Sequence, residues 1–249
     1  NDASVKGWKK NHIIKTSQEN TFFLQDGQVW GSSSDNPAPE ESFELMNNLI
    51  IPENTLITFS SDIVLDGQGF DLILGKRAQL FIDSGITVTL KNLNIKNTMN
   101  PNSNPIRCIG QTSKLCLDNV KFALKDDFIF NVGQLFVHND VEFTGTSKLS
   151  YRSVRPSYVA SNANLVFGPQ TTFEYYPGSV DNSLIKMLDK TSAIIFDGST
   201  LQTTHTGIRF TKGSVYFDNN VTLSSVVAMR PDQAFSNGII FGNSTLGAS

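Results

Sequence analysis

Residues 115–122 and 135–143 read LCLDNVKF and LFVHNDVEF, and in each an apolar strand leads through a polar turn into an alternating strand. Leu115 and Leu135 open these copies about 20 residues apart, the length that one coil of a three-sided solenoid needs. The phrase recurs, with variations, as LFIDSGITV (80–88), LVFGPQTTF (165–173), IIFDGSTL (194–201) and VYFDNNVTL (215–223). Repetition at a nearly fixed period indicates a repeat architecture.

A second apolar phrase precedes the copies by a few residues, as in PIRCIG (105–110), DFIFN (127–131) and GIIFG (238–242). Each repeat therefore contains three short strands. Successive side chains of a strand point to opposite sides, so stacked repeats place like residues in ladders about 4.8 Å apart. The pattern predicts an all-β, single-stranded parallel β-helix of about seven three-strand turns. A twisted antiparallel sandwich, which also uses many short strands, is the alternative.

The succession of these turns, entered through LITFSSDIVLDGQGFDLIL (56–74), resembles right-handed parallel β-helix proteins of the pectin-lyase-like superfamily. The resemblance concerns architecture and covers the repeats, which we assign to a β-helix over residues 49–249. Residues 1–48 are less regular, and we expect an N-terminal cap there because an uncapped solenoid exposes an aggregation-prone edge. No catalytic motif carries over, so the resemblance supplies no activity.

The composition excludes several classes of function. A net charge of −3, with scattered Lys and Arg, gives no reason to expect a nucleic-acid partner, and no apolar run is long enough for membrane insertion. Cys108 and Cys116 lack zinc-ligand spacing, and two buried thiols are favoured over a disulfide. The aspartates that follow several strands are better explained as turn caps than as calcium ligands. We therefore expect no metal and no cofactor.

Long insertions are expected at one corner of the solenoid, at residues 96–105, 144–156, 174–182 and 224–236. Extra residues at one corner must emerge on one side, where solenoids often bind partners. These segments supply a set of Tyr and Arg side chains, which suit a protein or glycan partner: Tyr151, Arg152, Arg155, Tyr175, Tyr176 and Arg230. The alternative is that these side chains only pack their own loops.

A second expected surface is an apolar stripe on the outer side of the strands. It consists of the residues between the inward positions of successive copies: Phe81, Phe136, Val166, Ile195 and Tyr216. An exposed stripe of this kind marks an interface, for self-association or for a partner. Cover by residues 1–48 or by a corner loop, or a shifted register, are the alternatives.

Catalytic groups are sparse. Asp181, His205 and Arg209 are candidates for a polysaccharide-active enzyme, either a glycoside hydrolase or a lyase, but no pair of carboxylates at suitable spacing accompanies them. The leading hypothesis is a non-enzymatic β-solenoid that acts as a binding, adhesion or structural assembly module. Secreted and surface adhesins often use this architecture, so the resemblance implies an extracellular or cell-surface location.

Overall fold

The computed structural model describes residues 8–10, 28–30, 41–45, 47–97, 104–204, 207–224, 227–229, 238–241 and 247–248. Regular secondary structure in these residues is entirely β-strand. The strands in chain order are β1 (Trp8–Lys10), β2 (Gln28–Trp30), β3 (Glu41–Leu45), β4 (Leu49–Ile51), β5 (Leu56–Phe59), β6 (Ile63–Asp66), β7 (Asp71–Leu74), β8 (Gln79–Ile82), β9 (Thr87–Asn97), β10 (Ile106–Cys108), β11 (Lys114–Leu124), β12 (Phe128–Phe130), β13 (Gln134–Gly145), β14 (Lys148–Tyr151), β15 (Ser157–Val159), β16 (Asn164–Phe167), β17 (Thr172–Tyr175), β18 (Ile185–Met187), β19 (Ala193–Asp197), β20 (Thr200–Thr203), β21 (Ile208–Phe210), β22 (Ser214–Asp218), β23 (Thr222–Ser224), β24 (Val227–Met229), β25 (Gly238–Phe241) and β26 (Gly247–Ala248).

The strands stack in parallel into a β-solenoid of about seven turns, consistent with a right-handed parallel β-helix. The seven turns run from Ile63 to Ser224. Strands β3 to β5 extend the stack at its N-terminal end, and β24 to β26 extend it at its C-terminal end. The predicted all-β fold class is confirmed, and the antiparallel sandwich is excluded. No helix in the described part of the chain is long and apolar enough to span a membrane.

Each turn contributes one strand to each of three faces. Face 1 contains β3, β6, β15, β18, β21, β24 and the first halves of β9, β11 and β13. Face 2 contains the second halves of those long strands with β4, β7, β16, β19, β22 and β25. Face 3 consists of two sheets, β2-β5-β8-β10 and β12-β14-β17-β20-β23-β26. We number the corners by the face that precedes them, so corner 3 leads from face 3 back to face 1.

At the N-terminal end, two short strands lie against the first turn. β1 pairs with β3 in the antiparallel sense, and β2 pairs in parallel with β5. Parallel pairing therefore extends N-terminal to residue 49, because β2 already pairs with β5 and β3 with β6. The rest of the expected cap, apart from 41–45 and 47–48, lies outside the described residues.

Stacked phenylalanines fill the interior behind face 2. Their ring centroids are 5.5 Å apart for Phe122 and Phe143, 5.8 Å for Phe143 and Phe167, and 5.3 Å for each of the next two steps, to Phe196 and Phe217. All five side chains are fully buried. One inward position thus carries the same large side chain on five successive turns, which confirms the predicted interior ladders.

Asparagines form the turns of corner 1 in the first half of the solenoid. Asn92, Asn119 and Asn139 have φ angles of 50°, 54° and 51°, a left-handed conformation that Asn tolerates better than most residues. Their side chains also link neighbouring turns: Asn92 Nδ2 donates to Asp66 Oδ1 at 3.1 Å, and Asn119 Nδ2 donates to Asn92 Oδ1 at 2.8 Å. Asp66 and Asp218 each cap a turn, because Asp66 Oδ1 accepts from the Gln68 N–H at 3.0 Å and Asp218 Oδ1 accepts from the Asn219 N–H at 2.8 Å.

The repeated phrase does not occupy the same face in every turn. Its first strand lies on face 3 at Leu80, on face 1 at Leu115 and Leu135, and on face 2 at Leu165 and Ile194. One change lies between Leu80 and Leu115, and the second occurs at β13, whose first half pairs with β15 and whose second half pairs with β16. Every face alternates inward and outward side chains in the same way, so the sequence pattern did not distinguish them.

Both cysteines are free thiols, as the composition favoured. Cys108 lies on the inner side of face 3, and burial raises its pKa to about 12. Cys116 is partly buried, and desolvation raises its pKa as well. Neither thiol is therefore expected to be reactive at neutral pH.

Candidate binding surface at corner 3

Two loops lie next to each other at corner 3, in the middle of the solenoid. They span residues 152–156, between β14 and β15, and 176–184, between β17 and β18. The predicted insertions at 144–156 and 174–182 are shorter than expected, because residues 148–151 and 174–175 are strands of face 3, but their loop parts do lie at one corner. Parts of the other two insertions, residues 98–103 and 230–236, lie outside the described residues.

Tyr151 and Tyr175, predicted to be exposed binding residues, are buried, and that prediction is wrong. Each is the last residue of a face 3 strand. Tyr151 points inward like Leu149 two positions earlier, and Tyr175 points inward like Phe173. Their rings stack inside the solenoid with centroids 5.9 Å apart and an interplanar angle of 9°. They cannot contact a ligand directly.

The hydroxyl groups of the two tyrosines instead hold the loops. Tyr175 Oη donates to the Asp181 carbonyl oxygen at 2.8 Å and accepts from the Leu184 backbone N–H at 3.1 Å. Tyr151 Oη donates to the Arg155 carbonyl oxygen. Burial raises the pKa of both phenols, that of Tyr151 to about 12, so both remain protonated donors. Each loop is thereby fastened to the core on the turn that precedes it.

The two loops also contact each other. The Gly178 backbone N–H donates to the Arg152 carbonyl oxygen at 3.0 Å, and the Tyr176 N–H donates to the Tyr151 carbonyl oxygen at 2.9 Å. A Cβ at Gly178 would lie 3.3 Å from Val154 Cγ1, so the second loop packs closely on the first. Together they form one continuous surface across two turns.

This surface exposes apolar side chains beside arginines. The exposed fractions are 41% for Val154, 53% for Tyr176 and 89% for Val180, and Arg152 and Arg155 are also exposed. The Arg152 guanidinium carbon lies 5.9 Å from the centroid of the Tyr176 ring, a cation–π distance. We call these five residues the corner surface. Three of the predicted binding residues, Arg152, Arg155 and Tyr176, therefore lie together, while Arg230 lies outside the described residues.

Glu174, which the sequence did not single out, fixes the Arg152 side chain. Its carboxylate accepts hydrogen bonds from Ser150 Oγ at 2.6 Å, Lys148 Nζ at 3.1 Å and Arg152 Nη2 at 3.3 Å. Desolvation raises the pKa of Glu174, but the hydrogen bonds and the Lys148 charge outweigh it and leave the pKa below its usual value. An ionised carboxylate on face 3 thus orients the arginine that contacts Tyr176.

The surface around these loops is positively charged. Strands β14, β15, β17 and β18 and the loops 152–156 and 176–184 contain four positive and two negative side chains: Lys148, Arg152, Arg155, Lys186, Glu174 and Asp181. The whole chain has a net charge of −3. The local charge is therefore opposite in sign to that of the protein.

The predicted apolar stripe is divided among three faces, so its prediction as one continuous surface is wrong. Phe81 lies on face 3 and Phe136 on face 1. Val166, Ile195 and Tyr216 are directly stacked on face 2 over three turns, and each is partly exposed. The described strands within residues 1–48 are β1, β2 and β3; they pair with β3, β5 and β6 and not with these residues.

The alternative catalytic set is only partly described. Asp181 is exposed, and hydrogen bonds from the Ser183 backbone and side chain lower its pKa, with a smaller effect from the Arg209 charge. The Arg209 N–H donates to the Asn182 carbonyl oxygen at 2.6 Å, so Arg209 lies beside the loop of Asp181. His205 lies outside the described residues. Within the described ranges, no group of three or more His, Cys, Asp or Glu side chains could hold a metal ion.

Replacing Tyr175 with phenylalanine should loosen the loop 176–184 without disturbing the core. The ring stays in place, but a carbonyl and a buried N–H lose their partner, which typically costs about 1–3 kcal/mol. We expect faster amide hydrogen exchange at Leu184 and a lower free energy of unfolding in urea. Tyr158→Phe is the matched control, because Tyr158 is partly exposed and has no hydroxyl hydrogen bond among the described residues. Equal exchange in both variants would contradict the anchoring role.

Comparison with protein-family models, with curated proteins and with solved structures gave no match. The fold defines the protein as a β-solenoid, and the corner surface is an ordered patch with a local excess of positive charge.

Proposed function

We propose that this protein is a non-enzymatic β-solenoid that binds a partner protein through the corner surface. The observation that carries the proposal is the arrangement of the loops 152–156 and 176–184. Buried tyrosines fasten them from inside, and they present Arg152, Tyr176 and Val180 outside. A surface that is already ordered loses little conformational entropy on binding. In line with the architectural resemblance to the pectin-lyase-like superfamily, we propose a secreted or surface-displayed adhesion module.

The exposed side chains favour a protein partner over a glycan. Tyr and Arg are enriched at the centres of protein interfaces, and both also stack on sugars. Val154 and Val180 separate the two classes, because exposed aliphatic side chains contribute to a protein interface but offer a sugar neither a stacking ring nor a hydrogen bond. The positive local charge further favours an acidic partner.

The proposal predicts that the double variant Arg152→Ala/Tyr176→Ala binds its partner at least thirtyfold more weakly. Loss of an interface hot spot typically costs about 2 kcal/mol or more, and each 1.4 kcal/mol is tenfold in affinity. The immobilised wild-type protein would first be screened against extracellular proteins and, in parallel, on a glycan array. Affinities of both forms would then be measured for each hit by biolayer interferometry.

Arg107→Ala is the matched control for this experiment. Arg107 is exposed and lies 5.6 Å above the Phe81 ring, so it forms the same kind of pair on face 3 at a distant turn. We expect wild-type affinity for this variant. Binding confined to glycans, or equal losses in the control and the double variant, would contradict the proposal. Release of product from a polysaccharide, abolished by Asp181→Ala, would favour the enzyme alternative.

A further inference from the structure

An apolar groove lies on face 1, the face that follows corner 3. None of its lining residues belongs to the corner surface. The groove has a volume of about 180 Å³ and is lined by Phe136, Val137, His138, Tyr158, Ala160 and Leu188. The Phe136 and Tyr158 rings stack on adjacent turns with centroids 5.3 Å apart. An engineered cavity of about 150 Å³ is large enough for benzene. The groove can therefore accept one large apolar side chain.

Positive charge follows the groove along the solenoid axis. The exposed Lys186 is the direct neighbour of Tyr158 on the next turn. Strands β15, β18 and β21, with the corner 1 loops that follow them, contain four positive residues and one negative one: Lys186, Lys190, Arg209, Lys212 and Asp189. Two further acids lie at this corner: Asp140 accepts a hydrogen bond from Asn164 at 2.7 Å, and Asp118, the neighbour of His138 on the preceding turn, accepts one from Asn139 at 2.6 Å.

Asp189 directly follows the groove residue Leu188, and its ionised carboxylate offsets one of the four positive charges. Hydrogen bonds from Ser161 and Thr191 are the main causes that lower the pKa of Asp189, and the Lys212 charge adds to them. The groove is thus apolar at its centre and positive toward the C-terminal turns, in a chain whose net charge is −3. Charge complementarity therefore selects an acidic occupant.

We propose that this groove docks an acidic peptide segment that carries one large apolar side chain. The apolar side chain enters between Tyr158 and Leu188, and the acidic residues lie against Lys186 and Arg209. The site is separate from the corner surface, so it goes beyond the proposed function and does not depend on it. A partner protein that spans corner 3 could use both sites.

An NMR titration of the 15N-labelled protein tests this proposal. The probe is the acetylated and amidated peptide Asp-Glu-Phe-Glu-Asp, with two comparison peptides in which Phe is replaced by Ala or all acids by Lys. We expect the largest shift changes at the amides of Tyr158, Lys186 and Leu188 with the acidic Phe peptide alone. No localised shifts at millimolar peptide, or equal binding of the Lys peptide, would overturn the proposal.

Two matched pairs of variants locate the contacts. Leu188→Ser should weaken binding of the acidic peptide about fivefold, whereas Ile109→Ser should not, although the exposed fractions of the two side chains are 45% and 46%. Lys186→Glu should weaken binding at least threefold, since single surface charge pairs contribute up to about 1 kcal/mol, whereas Lys190→Glu should have a smaller effect. Equal effects within either pair would refute the groove as the site. Arg152→Ala should leave peptide binding unchanged, which separates this result from the test of the corner surface.

Discussion

Replacing Phe167 with alanine is expected to destabilise the protein by about 3–5 kcal/mol. Phe167 is fully buried and stacks against Phe143, Phe173 and Phe196, with the Phe173 centroid only 4.6 Å away. Alanine would leave a cavity in the middle of the ladder, and parallel strands fixed by neighbours on both sides cannot collapse into it. Urea unfolding followed by far-UV circular dichroism measures the loss.

Val166→Ala is the control for this variant. Val166 is the preceding residue on the same strand but points outward and is partly exposed. Its truncation should cost less than about 1 kcal/mol, because little of the side chain leaves a packed environment. If the two substitutions destabilised the protein equally, the assignment of inner and outer sides on face 2 would be wrong.

Gly145→Ala is the second substitution with a large expected effect, about 3 kcal/mol or more. Gly145 ends β13 with a φ angle of 105°, which residues with a side chain rarely adopt. An added Cβ would also lie 2.1 Å from the Leu124 carbonyl oxygen of the preceding turn. Because that atom belongs to the backbone of a neighbouring strand, the strain cannot be relieved by moving a side chain.

Gly69→Ala separates the two causes of that strain. Gly69 has a φ angle of 86°, but an added Cβ there would have no neighbour within 4 Å. This variant should lose only the conformational part, about 1 kcal/mol. Thermal unfolding of both variants checks the difference. A similar loss of stability in both variants would show that the contact between a Cβ at position 145 and the Leu124 carbonyl oxygen adds no strain.

The sequence was sufficient to predict the stacking, because the interior ladders follow directly from alternation. Alternation places Val120, Val141 and Thr171 inside and Lys121 and Thr222 outside; the first three are buried and the other two are exposed. The repeated phrase does not identify the face, since its first strand lies on three different faces. Corner 1 is formed by one left-handed residue, Asn119, in the turn of β11, but by the four residues 160–163 two turns later. No local sequence pattern predicts this difference in corner length.

The same limitation explains the error at Tyr151 and Tyr175. Both follow a polar residue, Ser150 or Glu174, that follows a buried Leu149 or Phe173, so alternation could have placed the tyrosines inside. The segments 144–156 and 174–182 are instead expected as insertions, because each separates two recognisable apolar phrases. The contribution of Glu174 depends on contacts with Lys148 and Arg152 from the preceding turn, about 25 residues away, which a single sequence does not reveal.

The corner surface combines features that neither loop has alone. Arg152 comes from one turn, while Tyr176 and Glu174 come from the next, so the pair exists only when the turns are stacked. The solenoid therefore supplies the rigidity and the two tyrosine hydroxyls supply the loop conformation. Val180, with an exposed fraction of 89%, is accessible to a partner that contacts Arg152 and Tyr176.

Site-specific photo-crosslinking from position 180 tests the central claim most directly. Val180 would be replaced by p-benzoylphenylalanine, and Ile109, an exposed residue at corner 3 of a distant turn, would carry the same group in a control protein. The account predicts one discrete crosslinked partner protein from position 180, none from position 109, and competition by the unlabelled wild type but not by Arg152→Ala/Tyr176→Ala. Equal crosslinking from both positions, or competition by the double variant as strong as by the wild type, would contradict it.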